Sequence, residues 1–190
     1  MKKMIFAAFS FMAIGSAVSA EIKGAFGISF GETISEDIEV LDVRQSIPIT
    51  SESSTGDTWS FAFQRLQIVP PVSNSIFLDY EVMLTPISRV PFSVTAYGEF
   101  ENLSNCYASQ RRVIKLLMQK YPDATIEDMP YLPYQVIKSG SVSVSVMCID
   151  HEPSSVNSGL SIIYQDEVAR TRAIDERLKT KDLEVTSDGF

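Results

Sequence analysis

One histidine and two cysteines serve the whole 190-residue chain, and each scarcity removes a class of chemistry. A structural or catalytic zinc site usually draws on more than one His or Cys. The two cysteines, Cys106 and Cys148, are far apart and form no Cys-x-x-Cys redox motif. No Gly-x-Ser-x-Gly elbow is present: SGSVSVS, from Ser139 to Ser145, is strand sequence. The glycines of GAFGISFG lack both the lysine of a P-loop and the helix context of a dinucleotide site. Calcium-loop spacing and internal repeats are also missing. After Ala20 no apolar run is long enough to span a bilayer, which takes about 20 residues. The sequence therefore assigns no catalytic residue, no metal ligand and no cofactor.

What is present begins at the N-terminus. Lys2 and Lys3 precede an apolar run from Met4 to Ile14, broken only by Ser10. Small residues follow and end in Val18-Ser19-Ala20, before charged Glu21. This is the pattern of a secretory signal peptide, residues 1–20, cleaved after Ala20. A membrane anchor would need a longer apolar stretch, and no cysteine follows the cut to take a lipid. The expected destination is the periplasm or the outside of a bacterial cell. Residues 21–180 then make one α+β domain, and 181–190 a polar, flexible tail. Removing Lys2 and Lys3 takes the formal charge from −8 to −10. An acidic surface repels phosphates, so nucleic acid is not an expected partner. The basic residues Arg111, Arg112 and Lys115, and those from Arg170 to Lys181, read as solvated helix faces.

In an exported chain an even pair of cysteines reads as a disulfide. Val142, Val144, Val146 and Cys148 alternate along one strand face. Cys106 falls in line with Val113, Leu117 and Tyr121 at helical spacing. Both cysteines thus point into one layer, where a bridge would stabilise the fold by about 4 kcal/mol in the chain-entropy model.

Periodicity supplies the remaining elements. Ala25–Phe30 predicts a strand, Thr33 or Ser35 a short helical turn, and Ile38–Val43 a strand. The run SESSTGD, Ser51–Asp57, reads as loop. Trp59–Val69 predicts one strand with a slip between Phe63 and Leu66. Ile76–Thr85 and Phe92–Phe100 predict a hairpin, with Leu78, Tyr80, Val82 and Leu84 facing inward. Ser104 or Asn105 is the expected cap of the main helix, about 105–121, which Pro122 ends. Three strands follow, Gln135–Lys138, Val142–Ile149 and Leu160–Tyr164, and then a helix over 168–178 with Val168, Arg172, Ile174 and Leu178 on its working face. The order gives an antiparallel sheet with helices on one face. Ser93, Thr95, Ser143, Ser145 and Ser161 fall on the other face, read as solvated and open to a polar ligand.

Two segments have functional composition. Met129, Tyr131 and Tyr134 in the connector MPYLPY are interface-type residues. His151 lies between Asp150 and Glu152; Asp166 or Glu167 could reach it from a neighbouring strand, though nothing in the spacing requires it. That arrangement is the basis of an alternative reading, a small hydrolase or metal-dependent enzyme. Adjacent residues on an extended segment point to opposite sides, however, and Pro153 marks a loop. The carboxylates Asp123, Glu127 and Asp128 sit past a helix end, where solvation is the default.

The set FGISFGE, VPP, FLDYEVMLTP, AYGEFENLSNC and LLMQKYP, with the step Tyr164-Gln165-Asp166, resembles small exported bacterial proteins of an uncharacterised family. The resemblance covers most of Phe26–Pro122. It implies a fold and an export route, and brings no catalytic residue. FGISFGET also looks like the start of small envelope assembly and inhibitor domains. The functional expectation is a non-enzymatic exported domain that binds a protein outside the cytoplasm or stabilises an envelope complex.

Overall fold

The structure, a computed structural model, describes residues 21–46, 48–52, 58–128, 134–150 and 158–187. In chain order its elements are β1 (Gly24–Ala25), β2 (Ile28–Ser29), β3 (Val40–Gln45), β4 (Ile49–Glu52), β5 (Thr58–Phe61), β6 (Gln64–Ile68), β7 (Asp79–Leu84), β8 (Pro91–Phe100), α1 (Leu103–Lys120), β9 (Thr125–Asp128), β10 (Tyr134–Ser139), β11 (Val142–Asp150), β12 (Ser158–Asp166) and α2 (Glu167–Ser187). Eight strands form one antiparallel sheet in the order β3-β6-β7-β8-β12-β11-β10-β9. The fold is α+β, as the strand and helix order implies.

Strand alternation decides what the sheet buries. Tyr80, Val82 and Leu84 on β7, Val94 and Ala96 on β8, Val144, Val146 and Cys148 on β11, and Leu160, Ile162 and Tyr164 on β12 all enter one core. Helix α1 covers β8, β11 and β12 with Cys106, Gln110, Val113 and Leu117, which recur every three or four residues. Its cap is Asn102, whose side chain accepts the Asn105 N–H at 2.9 Å; Ser104 and Asn105, the expected caps, lie inside the helix. Gln110 donates Nε2–H to the Val146 carbonyl at 2.8 Å, so the one buried amide on this face is satisfied. Cys106 and Cys148 are joined, with Cα atoms 6.0 Å apart.

Several expectations are corrected. Ala25–Phe30 is not one strand but a tight hairpin: Phe26 and Gly27 both have positive φ, 53° and 81°. That conformation makes the two-residue turn of a hairpin, and a Cβ at Gly27 would also lie 2.8 Å from Pro71 Cβ. At 33–37 a turn held by Ser35 Oγ and the Asp37 N–H replaces the expected helical turn. Ser51 and Glu52 are strand residues of β4, paired with β5; residues 53–57 lie outside the described residues. The slip in Trp59–Val69 is a break at Ala62–Phe63, beyond which β6 joins the large sheet. Leu78, expected to face inward, is 65% exposed: it lies just before β7, outside the alternating run that begins at Asp79, although its N–H donates to the Tyr97 carbonyl at 2.7 Å. The short strand β9 was not expected. The serine-threonine face is only partly open to solvent: Ser93, Thr95 and Ser161 are buried, and Ser143 and Ser145 are half-buried.

Helix α2 runs from Glu167 to Ser187, past the expected helix end at 178. Its buried side is Ala169 and Ala173, packed on Phe61, Phe63, Val90 and Phe92, while Val168 and Arg172 face out. Asp166 caps it, accepting the Val168 N–H at 2.9 Å. Glu176 then fastens the helix to the β7–β8 connection. Its carboxylate accepts the Ile87 N–H at 2.8 Å, the Ser88 N–H at 3.1 Å and the Ser88 hydroxyl at 2.6 Å. Burial would raise the Glu176 pKa, but the bonds from Ser88 and from the Ile87 and Ser88 amides, with Arg172 nearby, outweigh it and hold it below the usual range. The native state therefore favours the ionised form. That stability is complete above about pH 4.3, the unfolded value, and is lost as pH falls through the lowered native value. Glu176→Ala is expected to cost about 1.5 kcal/mol at neutral pH. Urea titrations across pH 3–7 should show the variant and the native protein converging at the acid end.

Candidate binding groove

A groove of about 490 Å³ lies where the β1–β2 hairpin, the 32–39 segment and Val69–Pro71 meet. Buried Ile28 and half-buried Ile34 and Ile38 are among its apolar lining, with Val69, Pro70, Pro71 and Pro91. Glu32, Asp37 and Glu39 are exposed, and no Lys or Arg lines the groove. Each wall has a local cause. The turn at Phe26-Gly27 folds β2 back, and the Val72 N–H donates to the Phe26 carbonyl at 3.1 Å, pinning Pro71 beside Gly27. Ile34 N–H donates to the Arg89 carbonyl at 3.1 Å, and the Thr33 hydroxyl to the Ser88 carbonyl at 3.3 Å, which ties the second wall to the β7–β8 connection. The Val69 N–H donates to the Glu39 carbonyl at 3.0 Å and closes the far end. Such a shape can hold an apolar side chain with positive charge around it.

Beneath the sheet the polar face is recessed by its own neighbours. Thr95 lies between Glu81 and Ile163, Ser161 between Tyr97 and Met147, and Ser93 between Met83 and Gln165. Each short side chain is thus shaded by long ones on both adjacent strands, which explains burial at positions that alternation alone marks as outward. Arg65 Nε approaches Glu81 Oε2 at 3.4 Å. Burial raises the Glu81 pKa, and Arg65 and Arg44 only partly oppose it. Tyr97 is raised by burial and by the Glu81 charge. Across the outer strands Arg44 donates to Asp42 at 2.7 Å and to Gln67 at 3.2 Å, and Gln67 donates to Asp79 at 3.0 Å.

The residues singled out by sequence are dispersed. Cys106 and Cys148 meet in the bridge. Tyr134 is half-buried on β10, opposite Met147. Met129, Tyr131 and His151 lie outside the described residues. Asp166 is occupied as a helix cap, and Glu167 accepts from Gln165 and Arg170. Glu127 pairs with Lys138 at 2.9 Å. Among the described residues no group of three His, Cys, Asp or Glu could hold a metal ion, and no helix is long and apolar enough to cross a membrane. Sequence reading missed the groove and the Glu176 clamp. The signal for the groove was VPP together with the acidic-apolar run ISEDIE, two segments that only the fold brings together. No family model, curated protein or solved structure matches the chain.

Proposed function

We propose that the chain is an exported protein-binding module, acting in the periplasm or after secretion, whose groove takes a partner segment with basic side chains beside an apolar anchor. The observation that carries the reading is the groove's lining: isoleucines and prolines with Glu32, Asp37 and Glu39 and no positive side chain. The formal charge of −8 extends that bias to the whole molecule. Opposite charge across an interface speeds encounter and selects partners, while the buried apolar anchor supplies affinity. The N-terminal pattern Met1–Ala20 and the Cys106–Cys148 bridge both suit an oxidising compartment.

Selection of a displayed random peptide library on the protein tests this. Enrichment of Lys or Arg next to Leu, Ile or Val is expected. Binding of the winning peptides should fall at least about tenfold in Glu32→Lys/Asp37→Lys and weaken with added salt. Recovery of acidic peptides, or binding indifferent to both changes, would refute the assignment.

A further inference from the structure

Strand β3 ends the large sheet, and all six of its residues are exposed. Val40, Leu41 and Val43 are 45%, 56% and 54% exposed. An edge strand with several exposed apolar side chains is a template for another strand. We propose that β3 pairs antiparallel with β3 of a second copy, with Val43 facing Val43 on the twofold axis and Asp42 facing Arg44 in both directions. No residue of β3 lines the groove, so the inference does not depend on the proposed function.

The backbone fixes which registers are possible. The Ser46 N–H donates to the Phe63 carbonyl at 2.8 Å, so the backbone groups of Ser46 point at β6. Orientation alternates along a strand, so Arg44 and Asp42 also point at β6, and Val43 and Gln45 point outward. The Val43 N–H agrees: its partner is the Asp42 carboxylate at 2.8 Å, not β6. Two copies can therefore pair only outward residue to outward residue. Of the central registers that satisfy this, one places Asp42 against Asp42 and another Arg44 against Arg44. Like charges directly opposite are destabilising. The register centred on Val43 instead gives two Asp42–Arg44 pairs; it rests on residues 42–45 alone, because the pairing of β3 with β6 shifts register between Val40 and Asp42 and leaves Leu41 as an extra residue.

The monomer holds the parts ready. Asp42 is bonded to Arg44 of its own strand at 2.7 Å, with both side chains about half exposed. On pairing, the Val43 N–H exchanges the Asp42 carboxylate for the carbonyl of Val43 in the second copy. Asp42 then lies between two arginines, and the four charges alternate in sign. Val43 of each copy loses water against the other.

Sedimentation velocity of the protein over a concentration series, with circular dichroism as the fold check, tests the proposal. The native protein is expected to show a reversible monomer–dimer equilibrium. Asp42→Arg and Arg44→Asp should each raise the dimer Kd at least about tenfold, because each sets like charges face to face. Mixing the two variants should restore the dimer, since each Arg then meets an Asp, and native mass spectrometry should identify it as the heterodimer. A native protein that stays monomeric at its highest soluble concentration would overturn the inference. So would single variants that dimerise as well as the native chain, or a mixture of folded variants that forms no heterodimer.

Discussion

Replacing Cys106 and Cys148 together by alanine is expected to lower the unfolding free energy by about 4 kcal/mol. The bridge closes a separation of 42 residues, which contains most of α1 and all of β9 and β10. Without it the unfolded chain regains the freedom of that loop. Alanine is the informative replacement, because both positions are buried and a serine hydroxyl there would add its own cost. A loss of this size is a large share of the stability of a single domain, about 5–15 kcal/mol. Denaturant melts of the native, reduced and double-alanine forms give the comparison. A fall below about 1 kcal/mol would mean that the helix and strand hold their positions without the bridge.

Phe92→Ala is expected to cost about 3–5 kcal/mol, the range for emptying a fully buried aromatic site. Phe92 is completely buried and meets Phe63 edge to face, with ring centres 5.2 Å apart. The size of the effect comes from what α2 lacks. Its buried contribution is Ala169 and Ala173, with Ile174 and Leu178 only partly covered. The aromatic side of this small cluster therefore supplies most of the apolar contact that docks the helix. Hydrogen exchange should show α2 opening far more than α1, whose own cluster lies elsewhere in the sheet. Equal acceleration in both helices would show that the two clusters open as one unit.

Alternation and capping made much of this fold legible. The β7–β8 hairpin, α1 and the strands β10 to β12 each carry a long, regular apolar period, and the disulfide follows from two such periods meeting. The elements that were misread have no period to read. Strands β1 and β2 are two residues each, and their turn is Phe-Gly, not the usual Asn-Gly. Strand β9 offers one apolar residue, Ile126, which is itself exposed. Helix α2 buries alanines, so its inner side hardly differs in hydropathy from its outer side. Burial of Ser93, Thr95 and Ser161 depends on which long side chains lie opposite, and pairing between β8 and β12 is invisible until the strands are placed. The groove joins residues near 30, 70 and 91, and Glu176 reaches back to Ser88; both depend on tertiary structure alone.

The pairing of β8 with β12 runs from Phe100 with Ser158 to Ser93 with Gln165, and it divides the sheet into two halves by chain order. The first half, β3 to β8, is built from hairpins of its own, and so is the second, β9 to β12. Each half can assemble from contacts close in sequence, which form quickly. Their union must wait for a loop closure spanning α1 and three strands. A chain emerging N-terminus first therefore exposes the free side of β8 until β12 arrives, and that interval is its period of greatest exposure to aggregation.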